Sequence, residues 1–515
     1  MLLPGFAVPD ATASFAEKFK NRFADDAFRS LGRTGLSVSK IGFGTYRCHQ
    51  NSEIHFQALQ LALQKGCNII DTSANYMDGF SECLIGDVLN QEIVWGNLNR
   101  EEIVLVSKAG YIQGENLKIA QKNEDEKNPF PEVVKYSPNV WHCIHPYFIR
   151  DQITRTLTRT HVDTLDIYLL HNPEYFLLDA ERQNNGDIQP VRDEFYWRVH
   201  QSFLEMERLV EQGLIRWYGI SSNTFVVNKD RPDFVSLARI WETYREVCLE
   251  KGFAPEQGHF AVVQFPFNWV EHAAFTLKNN KFYARQFTTL EMAQELGLGV
   301  MINRPLNAIA DSRMIRLARY GGKSDVNYSD RFSKDLKKLS EIENRLIQLI
   351  DKEGLDVQIN PHVSLRNIFQ NSDTLRKLAL QEVDVSQLNQ LVTQYFVPLF
   401  KIGETALLRK VKEKLEETKT MVEGYFNQFN IAAKTLQHQL DDLNYQRTKP
   451  LREKFDSTNR EWADKLTLSQ KALCVAAGAP GVDVVLNGMR TPAYVDDSME
   501  IMRAEGIKVE NLFAK

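Results

Sequence analysis

Eight short apolar runs, each followed by an amphipathic stretch, recur between residues 40 and 490, and few architectures accept that pattern. The runs are 41–44, 67–70, 103–106, 165–170, 215–220, 261–265, 299–302 and 482–486. Each is too short for a helix and rich in Ile, Val and Leu, as strands read when helices cover both of their faces. Helical periodicity fills most of the gaps, at 53–65, 82–94, 148–160, 197–212, 234–250 and 287–296. Eight strands separated by helices fit an α/β fold of the (β/α)8 TIM-barrel type better than an open doubly wound sheet. A dinucleotide fingerprint is also missing, because Gly42-Phe43-Gly44 lacks the third glycine.

The N-terminal 1–30 reads as a helical extension, with Phe15, Phe19 and Phe23 recurring every four residues over 11–30. The alternation in 31–40 around Thr34-Gly35 predicts a small hairpin. After strand seven the next strand waits until residue 482, far beyond an ordinary connection. The stretch 469–477 supplies the expected last barrel helix, and 310–465 reads as an all-helical insertion with its own apolar seam. Leu336, Leu339, Ile342, Leu346, Ile347 and Ile350 form one stripe, and Leu407, Val411, Leu415, Thr418 and Val422 continue the habit. Pro361, Pro398 and Pro450 are expected at helix boundaries, and the mixed charges of 409–419 on a solvated helix face. The expected domains are thus 1–30, a barrel of 31–309 with 466–515, and the insertion 310–465.

Loops that follow barrel strands lie on the face where active sites form. The insertion starts there, as do the long connections 110–146 and 172–193. Together they make either a lid over a specificity cleft or an arm for self-association or a protein partner. Trp141, Tyr175, Phe176 and Trp197 are candidates for the mouth of that cleft or for core packing.

A net charge of -5 argues against nucleic acid or an anionic membrane as partner. No apolar run approaches a membrane span, and the first ten residues lack the marks of a secretory signal. The six cysteines are scattered without metal or disulfide spacing, which leads us to expect reduced thiols and a cytoplasmic setting. His142 and His145 flank Cys143 with no second ligand cluster, so no metal site is expected.

Chemistry gathers at the strand ends. Strand two ends at Asp71 with Tyr76 a short loop later, strand three at Lys108, strand four at His171, and strand six carries Gln264. Singly, each has a bland reading: a loop cap, a packed phenol, a surface lysine, a core histidine. As a set on one barrel face they place a carboxylate, a phenol, an ammonium and an imidazole around one point.

At these residues the chain resembles the aldo-keto reductases. The resemblance is carried by Gly42-Phe-Gly-Thr-Tyr46, Asp71-Thr-Ser-Ala-Asn-Tyr76 with Ser81-Glu82, Ser107-Lys108, Leu169-Leu-His171, Gly219-Ile-Ser-Ser222, Val263-Gln264 and 481–488. It leaves the insertion uncovered. It implies a catalytic tetrad of Asp71, Tyr76, Lys108 and His171, with Tyr76 as general acid and base and the ammonium lowering the phenol's pKa. It also implies a nicotinamide cofactor touched by Gly44, Thr45, Ser221, Ser222, Gln264, Arg304, Leu306, Gly488, Arg490 and Asp497. Asn303 stands where the family has an aromatic that stacks on nicotinamide, and an amide does not stack as a ring does. Arg490, beside a helix start, favours NADP(H), with NAD(H) left open. The expected function is reduction of an aldehyde or ketone, or oxidation of the matching alcohol or sugar. The alternative is a nucleotide-binding scaffold or sensor whose insertion meets a partner.

Overall fold

The computed structural model describes residues 2–183, 187–310, 313–319, 326–360, 363–411 and 415–513, with Asn360 in its backbone only. The chain divides into two compact units, Met1–Ala308 with Phe455–Lys515, and Ile309–Lys454.

The first unit is a closed, all-parallel barrel. Its strands, in chain order, are β1 (Ile41–Gly44), β2 (Ile69–Asp71), β3 (Val104–Ala109), β4 (Leu165–His171), β5 (Ile215–Ser221), β6 (Phe260–Pro266), β7 (Gly299–Asn303) and β8 (Val484–Asn487). They pair in that order and β8 closes on β1. Strands β2, β3, β4 and β6 are buried at every position, which is why they read as unbroken apolar runs. The outer helices are Glu53–Gln64, Phe80–Val94, Pro146–Thr160, Ile188–Glu211, Leu237–Lys251, Thr289–Glu295 and Leu468–Gly478. The β5 register shifts between Tyr218 and Gly219 and brings Ser221 opposite Gln264 of β6. Only glycine fits there: a Cβ on Gly219 would stand 1.8 Å from the Val262 carbonyl oxygen.

The N-terminal helix is shorter than its phenylalanine spacing suggests, spanning Pro9–Glu17 only. Phe19 still meets Phe15 at 5.2 Å and Phe23 meets Phe19 at 5.4 Å, but both from beyond the helix end. Phe28–Ser30 pairs antiparallel with Ser37–Ser39 across a tight turn at Gly32–Thr34. That pairing claims residues the periodicity had given to the helix. The connection 110–146 holds a small sheet of Tyr111–Ile112, Val140–His142 and Val134–Ser137, plus helix Gly114–Asp125.

The second unit is mostly helical. Helix Tyr328–Lys352 buries Leu336, Leu339, Leu346 and Ile350 in a shared core with Val422, Tyr425, Phe429, Leu436 and Leu440 of helix Leu415–Arg447. The unit is not all helix: Gln358–Asn360 pairs with Val363–Ser364. These pieces are two and three residues long, too short for a period to register in sequence. Helix Val397–Lys410 ends where Val411 turns to an extended conformation, so the seam over 407–422 belongs to two helices, and 412–414 of its charged piece lie outside the described residues. Pro398 and Pro450 sit in the first turns of their helices, whereas Pro361 lies outside the described residues. Among the described residues no helix is long and apolar enough to cross a membrane.

Candidate active site

The strand ends deliver the four candidate side chains to one place. Asp71 closes β2 and Lys108 is the fifth residue of β3, fully buried. The Lys108 ammonium donates to Asp71 Oδ2 and to the Thr72 carbonyl, each at 2.7 Å. A lone buried charge would cost several kcal/mol, so the pair stands or falls together. The Gln264 amide donates to the other oxygen, Oδ1, at 2.8 Å. Its carbonyl in turn accepts from Ser221 Oγ at 3.2 Å and Asn303 Nδ2 at 3.4 Å.

Tyr76 opens the turn after β2. Lys108 Nζ lies 5.2 Å from the centre of its ring, and the His171 ring stands edge-on at 6.0 Å. Tyr46 closes another side at 5.2 Å. The turn is wound tightly: Met77, Asp78 and Gly79 all have left-handed backbones, at φ 48°, 61° and 88°. Such strain in non-glycine residues costs on the order of 1–3 kcal/mol each and persists only where surrounding contacts hold it. One of those contacts is Asp78 Oδ1, which accepts from the Glu115 amide at 2.9 Å, at the start of helix Gly114–Asp125.

His171 ends β4. Ser73 Oγ meets its Nδ1 at 2.9 Å, and its carbonyl accepts from His142 Nε2 at 2.7 Å. Tyr111 packs edge-on against it at 4.8 Å and is itself held by Asn172 Nδ2 at 2.7 Å and by the ring of Tyr175 at 5.2 Å.

Electrostatics differ from the sequence expectation at one point. Burial, then Asp71, then Tyr46 push the Tyr76 phenol well above its ordinary value. The ammonium meets the ring rather than bonding the hydroxyl, and Asp71 at 2.7 Å offsets its charge. The phenol therefore keeps its proton at neutral pH. Burial lowers the Lys108 ammonium against the opposing pull of Asp71. Burial, Lys108 and His142 hold His171 well below the usual imidazole range, so its ring is neutral.

The candidate cofactor residues separate into two groups. Ser221, Gln264 and Asn303 are linked to the tetrad through Asp71. Thr45 is tied to the same carboxylate residue through its backbone, its amide donating to the Asp71 carbonyl at 2.9 Å. Gly44 passes close to β8, where a Cβ would stand 3.3 Å from the Asn487 carbonyl oxygen. Arg304, at φ 55°, leans on Glu271 at 3.4 Å and keeps a buried Nε without a hydrogen-bond partner among the described residues. Leu306 is buried. Beyond β8, Gly488 is exposed and Arg490 half-buried just before helix Pro492–Met499. Two residues have other commitments. Ser222 Oγ accepts from the Thr224 amide at 3.2 Å in its own turn. Both oxygens of Asp497 accept hydroxyls, from Thr467 at 3.0 Å and Ser469 at 2.6 Å, at the start of helix Leu468–Gly478.

Of the four aromatic candidates for the mouth, Tyr175 stacks on His142 at 5.4 Å and touches Tyr111. Trp141 is buried under Lys135, Phe176 lies under Arg198, and Trp197 is half exposed. Sequence reasoning assigned no role to Tyr46, Ser73, Asn75, Tyr111, Gln113, Asn172 or His142. Ser73 and Asn75 lay inside the quoted 71–76 run, but no spacing rule links them to a histidine almost one hundred residues on.

The family model described as "Aldo/keto reductase family" matches residues 40–343, more than half of the 515-residue chain. Aldose reductase B of Dictyostelium discoideum is 28% identical over 192 residues, 36% of this chain and 50% of that protein. The NADH-specific methylglyoxal reductase of Escherichia coli is 26% identical over 162 residues, 29% of this chain and 44% of that protein. Among solved structures, the glycerol dehydrogenase of Gluconobacter oxydans aligns over 93% of this chain and 90% of its own, at 14% identity and a TM-score of 0.44. The chain spans about half the length of the curated relatives it matches. With the matched region reaching across strands β1 to β7 and all four strand-end side chains, the chain belongs to the aldo/keto reductase family.

Proposed function

We propose that this chain is an oxidoreductase that reduces an aldehyde or ketone, or oxidises the matching alcohol or sugar, with Tyr76 as the proton donor and acceptor. The observation that carries it is the buried Asp71–Lys108 pair at 2.7 Å set against the ring of a proton-loaded phenol, with a neutral His171 edge-on to that ring at 6.0 Å. An oxygen gaining negative charge needs a proton as the charge develops, and Tyr76 holds one. Asp71 and the Thr72 carbonyl anchor the Lys108 ammonium beside the ring from which that proton leaves. His171 orients the reacting oxygen.

The residues present fit a nicotinamide nucleotide. Asn303 Oδ1, Arg304 Nε and Trp269 Nε1 are buried polar atoms without hydrogen-bond partners among the described residues, at or just past the ends of β6 and β7. Ser221, Gln264 and Asn303 would hold the amide end, and Arg304 a phosphate. The nucleotide supplies the hydride when bound. Arg490 has no carboxylate partner among the described residues and precedes a helix start, which suits a further phosphate and favours NADP(H) over NAD(H).

Fluorescence titration with NADPH and NADH, followed by a panel of carbonyl compounds, tests this. We expect tighter NADPH binding and oxidation of NADPH by at least one aldehyde or ketone. Tyr76→Phe should lower turnover by about 10²–10⁴-fold while nucleotide affinity is kept. Full turnover in that variant rejects the assignment.

A further inference from the structure

The sense of the amide groups at the strand ends is dictated by one charge. Asp71 is held in an ion pair by the Lys108 ammonium, and a carboxylate only accepts hydrogen bonds. The Gln264 atom that meets Asp71 Oδ1 at 2.8 Å is therefore its nitrogen, which leaves its oxygen for the neighbouring strands. That oxygen also only accepts. Ser221 Oγ, at 3.2 Å, must donate its one proton there, and Asn303 must turn Nδ2 toward it, at 3.4 Å. The ends of β5, β6 and β7 are thus set in a single sense. The outcome is one-sided: Ser221 keeps lone pairs and no proton, and Asn303 Oδ1 is a buried acceptor without a hydrogen-bond partner among the described residues. Turning the Asn303 amide over would only set two oxygens face to face.

A buried acceptor without a donor is costly, so the site is built for a group that brings an N–H or O–H. The next residue of the β5 turn does not supply one, because Ser222 Oγ is engaged by the Thr224 amide at 3.2 Å and the Thr224 hydroxyl at 3.4 Å. A carbonyl substrate carries lone pairs only and cannot fill the vacancy. The carboxamide of nicotinamide carries two N–H bonds on one nitrogen. We propose that Asn303 is a specificity-determining residue for the nucleotide, its Oδ1 accepting an N–H of the nicotinamide carboxamide, so that the chain selects a pyridine ring bearing an amino group over one bearing acceptors alone. The amide at the end of β7 thereby gains a use that a stacking ring in its place could not serve.

The inference rests on the proposed nucleotide-binding reading, and binding alone tests it. The full chain is titrated by calorimetry with NADP+ and with three analogues changed only at the ring substituent; if NAD+ binds tighter, the same substituents are carried on NAD+. Thionicotinamide keeps the –NH2 and replaces the carbonyl oxygen, acetylpyridine keeps the carbonyl and has no N–H, and nicotinic acid brings a carboxylate. We expect the thionicotinamide form to bind within about threefold of the parent, the acetylpyridine form about tenfold to a hundredfold more weakly, and the nicotinic acid form more weakly again. Asn303→Leu should weaken the parent nucleotide by about tenfold and bring it within about threefold of the acetylpyridine form. Gln264→Met frees the Asn303 amide to turn over, and should narrow the gap between the parent and the nicotinic acid form by about tenfold, an effect that loss of a packing contact alone would not produce. Equal binding of the parent and acetylpyridine forms by the wild type, a loss confined to the thionicotinamide form, or an undiminished gap in Asn303→Leu each overturns the inference. Failure of both NADP+ and NAD+ to bind overturns the nucleotide reading itself, and the inference with it.

Discussion

Both units bury carboxylates, and they use them differently. In the helical unit Glu343 accepts from the Asn371 and Ser372 amides at 2.7 and 2.8 Å, covering the first turn of helix Ser372–Leu380. Asp335 accepts from Thr435 at 2.9 Å and ties two helices together. These groups satisfy neighbours inside an otherwise apolar core. In the barrel, Asp71 holds a buried ammonium and a buried amide, and beside them stand a phenol and an imidazole that can each still give or take a proton. A buried carboxylate by itself therefore marks nothing. A buried charge pair set next to groups that can still give or take a proton marks a site.

The largest effect we expect from breaking that contrast is at Lys108. Lys108→Met leaves Asp71 buried without its cation and should destabilise the barrel by about 3–5 kcal/mol. All seven tryptophans lie in the barrel unit, so urea unfolding followed by their fluorescence reads this directly. An unfolding midpoint equal to that of the wild type would show that the pair is not what holds the strand ends. In the helical unit, Leu339 is fully buried, and Leu339→Ala should cost about 3 kcal/mol locally. Amide exchange over 328–352 should accelerate, while NADPH affinity stays within about twofold.

Acid should separate the units further. Burial holds the His142 imidazole down to about 4, against about 6.5 when unfolded. The unfolded chain therefore takes up the proton first as pH falls. The stability due to a neutral His142 is fully present above the unfolded value and is lost as pH drops toward about 4. Between pH 7 and 5 the contribution of His142 should fall by about 2 kcal/mol, with His171 acting in the same direction and the buried carboxyls of Glu174 and Asp483, raised to about 7 and about 6, acting against it. Urea midpoints at three pH values for the wild type and His142→Gln test this, the variant losing the His142 part of the slope. The smallest effect belongs to the strained turn. Asp78→Ala removes the acceptor for the Glu115 amide and should cost about 1 kcal/mol, visible as a small shift of the tryptophan transition.

The barrel was legible because its signal is local. A strand covered on both faces is apolar along its length and stops where the next polar group appears, so Asp71, Lys108 and His171 announced their own positions. The helical seam of 336–350 was legible for the same reason. The short ladders at 358–364 and the break at Val411 were not, because pieces of a few residues carry no period. The N-terminal helix was over-extended because an aromatic repeat satisfies a helix and a turn cluster equally.

From its residues alone this chain determined which strands form, what each strand end carries and which family it belongs with, since those follow from composition along a few consecutive positions. Tertiary structure alone decided who binds whom: that Gln264 takes Asp71, that Ser73 meets His171, that Ser469 and Thr467 claim Asp497, and that Lys108 meets the face of Tyr76 rather than its hydroxyl. Hydrogen-bond partners are chosen among all groups brought within about 3 Å by folding, and sequence separation does not encode that distance.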